Sequence, residues 1–317
     1  MIKVVDDERL IAKVCDMYYN QNINQKTISE KLGLSRPTIS RVIANGRERG
    51  IVRITVNTQG AADHFELERS LEDLFGLNEV IITETQADSE QQKDEAGKAT
   101  AGYLNRIIRP DSIVGVSMGK TISHIAKFVP RQELRGTLFV PMIGGLGHIK
   151  IAYHSNAIAE ELSGAFGGRN LMMHAPARVS SNEIRDEIMK DTGIAETIRA
   201  GEQADIAVVG IGNPNSESSS MASGYYSVEE IESLKRRHVV GDILMQFYDV
   251  QGNSSLFEKQ QSVIGIRLEQ LRQIQYSIGV ACGVDKIDAI RGAAAGGYIN
   301  TLITDVDTAR LLLSDPK

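Results

Sequence analysis

Ser117-Met118-Gly119-Lys120-Thr121 stands where an apolar run, SIVGV, gives way to a helical pattern, TISHIA. Glycine lets backbone approach a ligand closely, and a helix start offers N–H groups and partial positive charge suited to phosphate or another anion. Lys120 and Thr121 add a cation and a hydroxyl to that place. The string is not a Walker loop, because the first glycine of GxxxxGK[ST] would fall on Val114. As a bare motif it is equally compatible with a glycine that only permits close helix packing.

Two further polar turns follow apolar runs. TLFVPMI ends in Gly144-Gly145, and Tyr153-His154-Ser155-Asn156 opens the next helical pattern with groups able to bond hydroxyls. VVGDILMQFYDVQGN carries Asp242 and Asp249 near strand or loop ends, where carboxylates can grip sugar hydroxyls in pairs. His154 suits a structural role as well, and Asp249 an Asx turn before Gln251-Gly252. An isomerase or deaminase would need an acid/base pair beside a sugar carbonyl, drawn from Asp242, Asp249, His154 or Lys120. Nothing in the sequence groups these four, so no catalytic residue is assigned. Neither a cofactor nor a metal is called for.

A second kind of chemistry lies near the N-terminus, in NQKTISEKLGLSRPTISRVIA from Asn24 to Ala44. Its apolar positions, Ile28, Leu32, Leu34, Ile39, Val42 and Ile43, have the spacing of two short helices that bury one face. Asn24 can cap the first, Gly33 supplies the turn, and Ser35 can cap the second with Pro37 in its first turn. The second helix then presents Ser35, Arg36, Pro37, Thr38, Ser40 and Arg41 at the end that enters a major groove. Gln25 and Lys26 lie at the start of the first. Residues 24–53 carry seven basic side chains against two acidic ones, on a chain of net charge −6. That basic island of +5 leaves −11 for the rest, an electrostatic footprint for DNA at one end only.

The elements that must position these residues follow in chain order. Asp6–Asn20 reads as an amphipathic helix packed behind the helix-turn-helix, and IVRITV from Ile51 as a short strand or wing. The segment 1–56 is then a DNA-binding domain, 57–64 a linker, and 65–317 a larger domain. In the latter, a helix at Phe65–Phe75 and a strand at Asn78–Thr83 come first. Apolar runs follow at Ser112, Thr137, Asn170, Ala204, Tyr276 and Ile299. Helices are expected at Ala96–Arg109, Thr121–Phe128, Asn156–Phe166, Ser181–Arg199, Val228–Arg237 and Lys286–Ala294. Strand, glycine turn and helix in alternation predict an α/β fold with a mostly parallel, Rossmann-like sheet. Ligands of such sheets sit at the carboxyl ends of the strands. Pro214–Ser220 reads as a mobile surface loop.

A hydrophobic fraction of 42% with 24% charged residues describes a globular protein with ample core. No apolar run approaches the ~20 residues a membrane helix needs, and MIKVVDDERLIAK lacks the apolar centre of a signal peptide, so a cytoplasmic protein is expected. Cys15 and Cys282 lie far apart without metal-ligand spacing and read as small buried hydrophobes.

Together, YYNQNINQKTISEKLGLSRPTISRVI, GVSMGKT, VPMIGG, YHSNA, ADIAVVGIG, VVGDILMQFYD and GGYINTLITDVDTA resemble, over nearly the whole chain and in order, the SorC family of bacterial sugar-responsive transcription regulators. The resemblance implies a winged helix-turn-helix and an effector domain similar to ribose-phosphate isomerase and glucosamine-phosphate deaminase, usually assembled as a homotetramer. It places the family's phosphate loop on Gly119, Lys120 and Thr121, its glycine pair on Gly144 and Gly145, and its pocket acid on Asp242. Where some members have a cation before the glycine pair this chain has Ile143, and where others have a lysine before the GGYIN glycines it has Ala295. Lys120 is then the one phosphate-pairing cation, which points to a free or monophosphorylated sugar or polyol. The partners implied are operator DNA, that effector, and further copies of the chain.

Overall fold

The computed structural model describes residues 7–54, 64–145, 147, 150–214, 220–260 and 262–314. The chain divides into two compact units, residues 1–63 and 64–317.

In the first unit, α1 (Glu8–Cys15) runs into one π-helical turn over Asp16–Asn20, followed by α2 (Gln25–Leu32) and α3 (Arg36–Glu48). The capping residues set these limits. Asn24 accepts the Thr27 amide, Gly33 leaves α2 at a φ of 67°, and Ser35 accepts the Thr38 amide. Ile11, Val14, Ile28, Ile39, Val42 and Ile43 close a small core between the three helices. At Gly46 a Cβ would stand 2.4 Å from the Cys15 sulfur, so α1 and α3 touch there only because α3 lacks a side chain. The expected wing is not a strand over its described part, Ile51–Ile54, and Thr55 onward lies outside the described residues, as does most of the 57–64 segment.

In the second unit, seven parallel strands stand in the order β1-β9-β8-β5-β2-β3-β4. They are β1 (Glu79–Thr83), β2 (Ile113–Val116), β3 (Leu138–Pro141), β4 (Arg169–Asn170), β5 (Ile206–Gly210), β8 (Tyr276–Val280) and β9 (Thr301–Asp305). Near-continuous apolar strands such as IAVVG are those of a sheet covered on both faces. The covering helices are α4 (Phe65–Phe75), α5 (Ser89–Ile107), α6 (Ser155–Phe166), α7 (Asn182–Ile188), α8 (Thr192–Glu202), α9 (Val228–Arg236), α10 (Leu268–Leu271), α11 (Ile287–Ala295) and α12 (Val306–Ser314). From β2 the chain winds one way to β3 and β4, then returns to β5 on the other side and winds outward. β2 and β5 therefore flank the switch point where such sheets open a crevice.

Five local departures from expectation matter. Ser181–Arg199 is two helices, because Asp191 accepts the Gly193 and Ile194 amides and starts α8 afresh. The Asn170–Ala177 run pairs only over Arg169–Asn170. The helix after Lys120 is a 3₁₀ segment, Ile122–Phe128. Capped by Asp88, α5 begins at Ser89, seven residues before Ala96. A two-residue turn, Leu244-Met245, joins β6 (Gly241–Ile243) to β7 (Gln246–Tyr248) with φ of 54° and 59°, in a place that normally takes Asn-Gly. The expected loop at Pro214–Ser220 falls largely outside the described residues, but Ser220 itself is buried.

Candidate functional site

A cavity of about 520 Å³ opens at the carboxyl ends of β1, β9, β8, β5 and β2, directly over the switch point. Ser117, Gly119, Lys120, Thr121 and Asp242 all line it. Ser117 Oγ accepts the Gly210 amide at 3.0 Å and donates to the Met118 carbonyl, so it fastens the end of β2 to that of β5. Gly119 holds a φ of 143° and turns its amide to the Tyr153 carbonyl at 3.0 Å. The YHSN turn thus reaches the cavity through the backbone of its tyrosine.

Asp242 is 2% exposed, and the β6–β7 hairpin carries it to the end of β5 through paired backbone bonds with Gly212. A Cβ on Gly212 would sit 2.1 Å from Asp242 Oδ1, so the carboxylate fits only against a glycine. Ser220 donates to Oδ2 at 2.6 Å, while Oδ1 has no hydrogen-bond partner among the described residues. Burial pushes the Asp242 carboxyl above the usual carboxylate range, against the opposing pull of Ser220, Lys286 and the Met245 backbone amide. An unmatched buried acceptor on a cavity wall is a group awaiting a donor.

Lys286, just before α11, faces the same space and was not anticipated from the sequence as a site residue. Its ammonium donates to Asn213 Oδ1 at 3.2 Å, and Asn213 in turn donates to Asp285 Oδ2 at 2.8 Å. Burial pulls its ammonium below the ordinary lysine range; Asp285 and Asp242 oppose this and Lys120 reinforces it. Lys120 is therefore not the sole cation here, and Lys93 on the early turn of α5 makes a third. Thr85, Gln92, Asp305 and Asp307 complete the rim, and Cys282, its thiol pushed up to about 12 by burial, is an inert part of the wall. The signal that would have found these residues is position: each stands at or after the carboxyl end of a parallel strand.

The other candidates stand elsewhere. Gly144 and Gly145 are absent from the lining; a Cβ on Gly144 would lie 2.5 Å from the Pro176 carbonyl, and Gly145 exchanges backbone bonds with Ala175 and Ala177. Asn156 clamps the Met173 backbone, accepting its amide at 2.9 Å and donating to its carbonyl at 3.1 Å. His154 precedes α6 and does not line this cavity. Asp249 accepts from the amides of Gln251 and Asn253 and from the Asn253 side chain, an Asx turn, and faces a different cavity. Of the four acid/base candidates, then, Asp242 and Lys120 share this cavity.

On the first unit, Lys26, Ser35, Arg36, Pro37, Ser40 and Arg41 are exposed, with Gln25 and Thr38 half-buried beside them. Ser35 and Thr38 hydroxyls lie 2.8 Å apart at the α3 start. Arg36 and Arg41 project from a helix whose other face is fixed by Ile39, Val42 and Ile43. This is the arrangement of a recognition helix.

A three-helix DNA-binding unit joined to an α/β unit with a polar, lysine-bearing strand-end cavity defines a ligand-controlled transcription regulator. The family model "Putative sugar-binding domain" matches residues 60–314. The chain is 34% identical over 311 residues to the sorbitol operon regulator of Klebsiella pneumoniae, covering 97% of this chain and 98% of that one. It is 31% identical over 315 residues to the deoxyribonucleoside regulator of Bacillus subtilis, covering 98% and 99%. The crystal structure of the full-length sorbitol operon regulator SorC from Klebsiella pneumoniae superposes with a TM-score of 0.73 at 33% identity, covering 99% of this chain and all of that one. The chain belongs to the SorC family of transcriptional regulators. Among the described residues no helix is long and apolar enough to cross a membrane.

Proposed function

We propose that the protein represses or activates a carbohydrate operon by reading operator DNA with α3, under the control of a monophosphorylated sugar or polyol held in the strand-end cavity. The observation that carries this reading is the pairing, in one cavity, of Asp242 with its unmatched Oδ1 and the two cations Lys120 and Lys286. A buried carboxylate grips hydroxyls; two lysines that repel each other are relieved by an anion. Lys286 restores the second cation that Ile143 and Ala295 do not provide. Binding rather than turnover is the reading supported by the relatives, which are named as a sorbitol operon regulator and a deoxyribonucleoside regulator.

In the homo-oligomer, a tetramer on this reading, ligand binding biases the arrangement of subunits and so the spacing of recognition helices. Dimeric helix-turn-helix proteins read half-sites about 34 Å apart, so a small rotation breaks register. Coupling is reciprocal: operator DNA shifts effector affinity by the same factor. A thermal-shift screen of sugars, polyols and their phosphates tests the proposal, because a ligand of the folded state alone must raise its stability. A sugar or polyol phosphate that raises the transition and alters operator retention in a gel shift supports it. Stabilisation by none of them removes it.

A further inference from the structure

Arg178 follows Ala177, whose amide the Gly145 carbonyl accepts, and lies half-buried with its backbone paired to that of Val263. Its guanidinium holds the segment that leads into α9 at three points. Nη1 donates to the Tyr225 carbonyl, Nη2 donates to Glu230 Oε1 at 2.9 Å, and the central carbon stands 4.4 Å from the centroid of the Tyr226 ring. Glu230 is itself fixed, because its other oxygen accepts the Ser227 amide in the capping box of α9. Arg178 Nε is buried without a hydrogen-bond partner among the described residues. A side chain that only filled space would not carry that cost.

What the arginine holds leads to Asp242 by two routes. Tyr226 donates its hydroxyl to the Met245 carbonyl at 3.4 Å and packs its ring against Phe247, so it supports the Leu244-Met245 turn. Both residues of that turn have positive φ, a conformation that side chains with a Cβ keep only where their surroundings enforce it. On the other route, Ser223 accepts the Tyr225 amide and donates to the Ser220 carbonyl, and Ser220 donates to Asp242 Oδ2. The Tyr225 hydroxyl fastens the same segment to the Gly145 carbonyl at 3.1 Å, which gives the glycine pair a part in the cavity from outside its wall. The ends of the two routes, the Ser220 hydroxyl and the Met245 amide, both pull the Asp242 carboxyl down against its burial.

We propose that Arg178 is a positioning residue for effector recognition, clamping Tyr225 and Tyr226 so that Ser220 and the Leu244-Met245 turn hold Asp242 in the orientation that meets the ligand. The role in recognition rests on the reading of the strand-end cavity given above. The other titratable groups facing Asp242 are Lys286, from the residue before α11, and the phenols of Tyr226 and Tyr248, which burial pushes up. Arg178→Gln removes none of these.

Calorimetric melting of the full-length protein without effector tests the clamp. Losing Arg178 loosens Ser220 and Met245, so the burial of Asp242 is less opposed and its carboxyl rises further. The stability lost as pH climbs through that value then grows. The melting-temperature deficit of Arg178→Gln is expected to widen with pH above the ordinary carboxylate range, by about 3 °C for a tenfold change in the proton affinity of Asp242. Adding Asp242→Asn should abolish the widening. Glu230→Gln, which breaks the ion pair alone, should show none. Tyr226→Phe keeps the ring and deletes only the hydroxyl, so it should widen the deficit to a smaller degree, and it serves if Arg178→Gln does not fold. A deficit constant across pH in both Arg178→Gln and Tyr226→Phe, or a widening that survives Asp242→Asn, would overturn the proposal. Either result would leave the cavity assignment standing, because these profiles need no effector.

Discussion

Ser220 donates its hydroxyl to Asp242 Oδ2 at 2.6 Å, joining the end of the Pro214–Ser220 segment to the deepest carboxylate of the strand-end cavity. One oxygen of Asp242 is thereby fixed and the other left for a ligand. The same burial that orients the group raises its pKa, so the folded state holds the proton more tightly than the unfolded chain does. The stabilising contribution is therefore complete below the ordinary carboxylate range and is lost as pH rises through the raised value. Asp242→Asn should flatten this decline above the ordinary carboxylate range and raise the melting temperature at its alkaline end, which differential scanning calorimetry can follow. It should also weaken any sugar held through hydroxyls while operator binding by the ligand-free protein is unaffected. A pH profile of stability identical to that of the unaltered protein would show that Asp242 is neutralised by other means.

Lys120 and Lys286 offer a test of charge. Lys120→Ala and Lys286→Ala should each cost a phosphorylated effector about 1.5–3 kcal/mol, the range of hydrogen bonds to charged groups, and the corresponding unphosphorylated sugar much less. Lys286 sits against Asn213 and Asp285, so its removal should be the more disruptive of the two. Calorimetric titration with the matched pair of ligands decides this. Equal losses for both ligands would mean that the lysines shape the cavity without meeting phosphate.

How much of this was legible in the sequence depends on whether a residue's role is local. Asn24, Gly33, Ser35 and Pro37 act within a few residues of themselves, and the helix-turn-helix could be drawn from them with its correct caps. The parallel strands were legible because apolar β-rich runs carry their own signature. Lys286 was not, because its role comes from being set down beside Asn213, some seventy residues earlier, by a sheet order that no local pattern encodes. Gly144 and Asn156, which do not line the strand-end cavity, show the opposite case. A glycine pair and an asparagine at a helix start look alike whether they face a ligand or pack on Pro176 and Met173. The β6–β7 hairpin escaped notice because Leu244-Met245 lacks the residues its turn normally demands.

Arg36 and Arg41 are exposed on a helix whose buried face is already complete, so truncating them should leave the fold intact. Arg36→Ala or Arg41→Ala should weaken operator binding. A lost base contact would cost about 1–3 kcal/mol on the specific site only. A lost phosphate contact would weaken all sequences and flatten the salt slope by roughly one unit. Gel-shift titrations at several salt concentrations separate the two, and unchanged affinity in both variants would remove α3 from the interface.

The larger unit holds its own two-sided core, so a fragment covering His64–Lys317 should fold alone. On the proposed mechanism it also remains oligomeric and binds the effector with undiminished affinity, while failing to retain DNA. Light scattering at micromolar concentration checks the assembly. A folded, effector-binding monomer would remove the inter-subunit step while leaving the cavity assignment intact.

Gly119 allows the loop and the ligand to be separated. Its φ of 143° lies where residues with a Cβ are rarely found, yet a Cβ built there meets nothing nearer than Ile122 at 3.7 Å. The cost of Gly119→Val therefore arises from backbone conformation rather than from crowding, and should be about 1–3 kcal/mol of stability. To escape that strain the turn must rotate, and the amide that now reaches the Tyr153 carbonyl turns with it. Lys120 and Thr121, the next two residues, are then displaced from the cavity wall. Gly119→Val should thus lower the melting temperature modestly and abolish the stabilisation that the effector confers, whereas a core substitution of similar cost, such as Ile125→Val at a buried position of the same segment that does not line the cavity, should lower the melting temperature and leave the effector's shift intact. An undiminished shift in Gly119→Val would mean that this turn supports the cavity only as packing, and that recognition rests on Asp242 and Lys286.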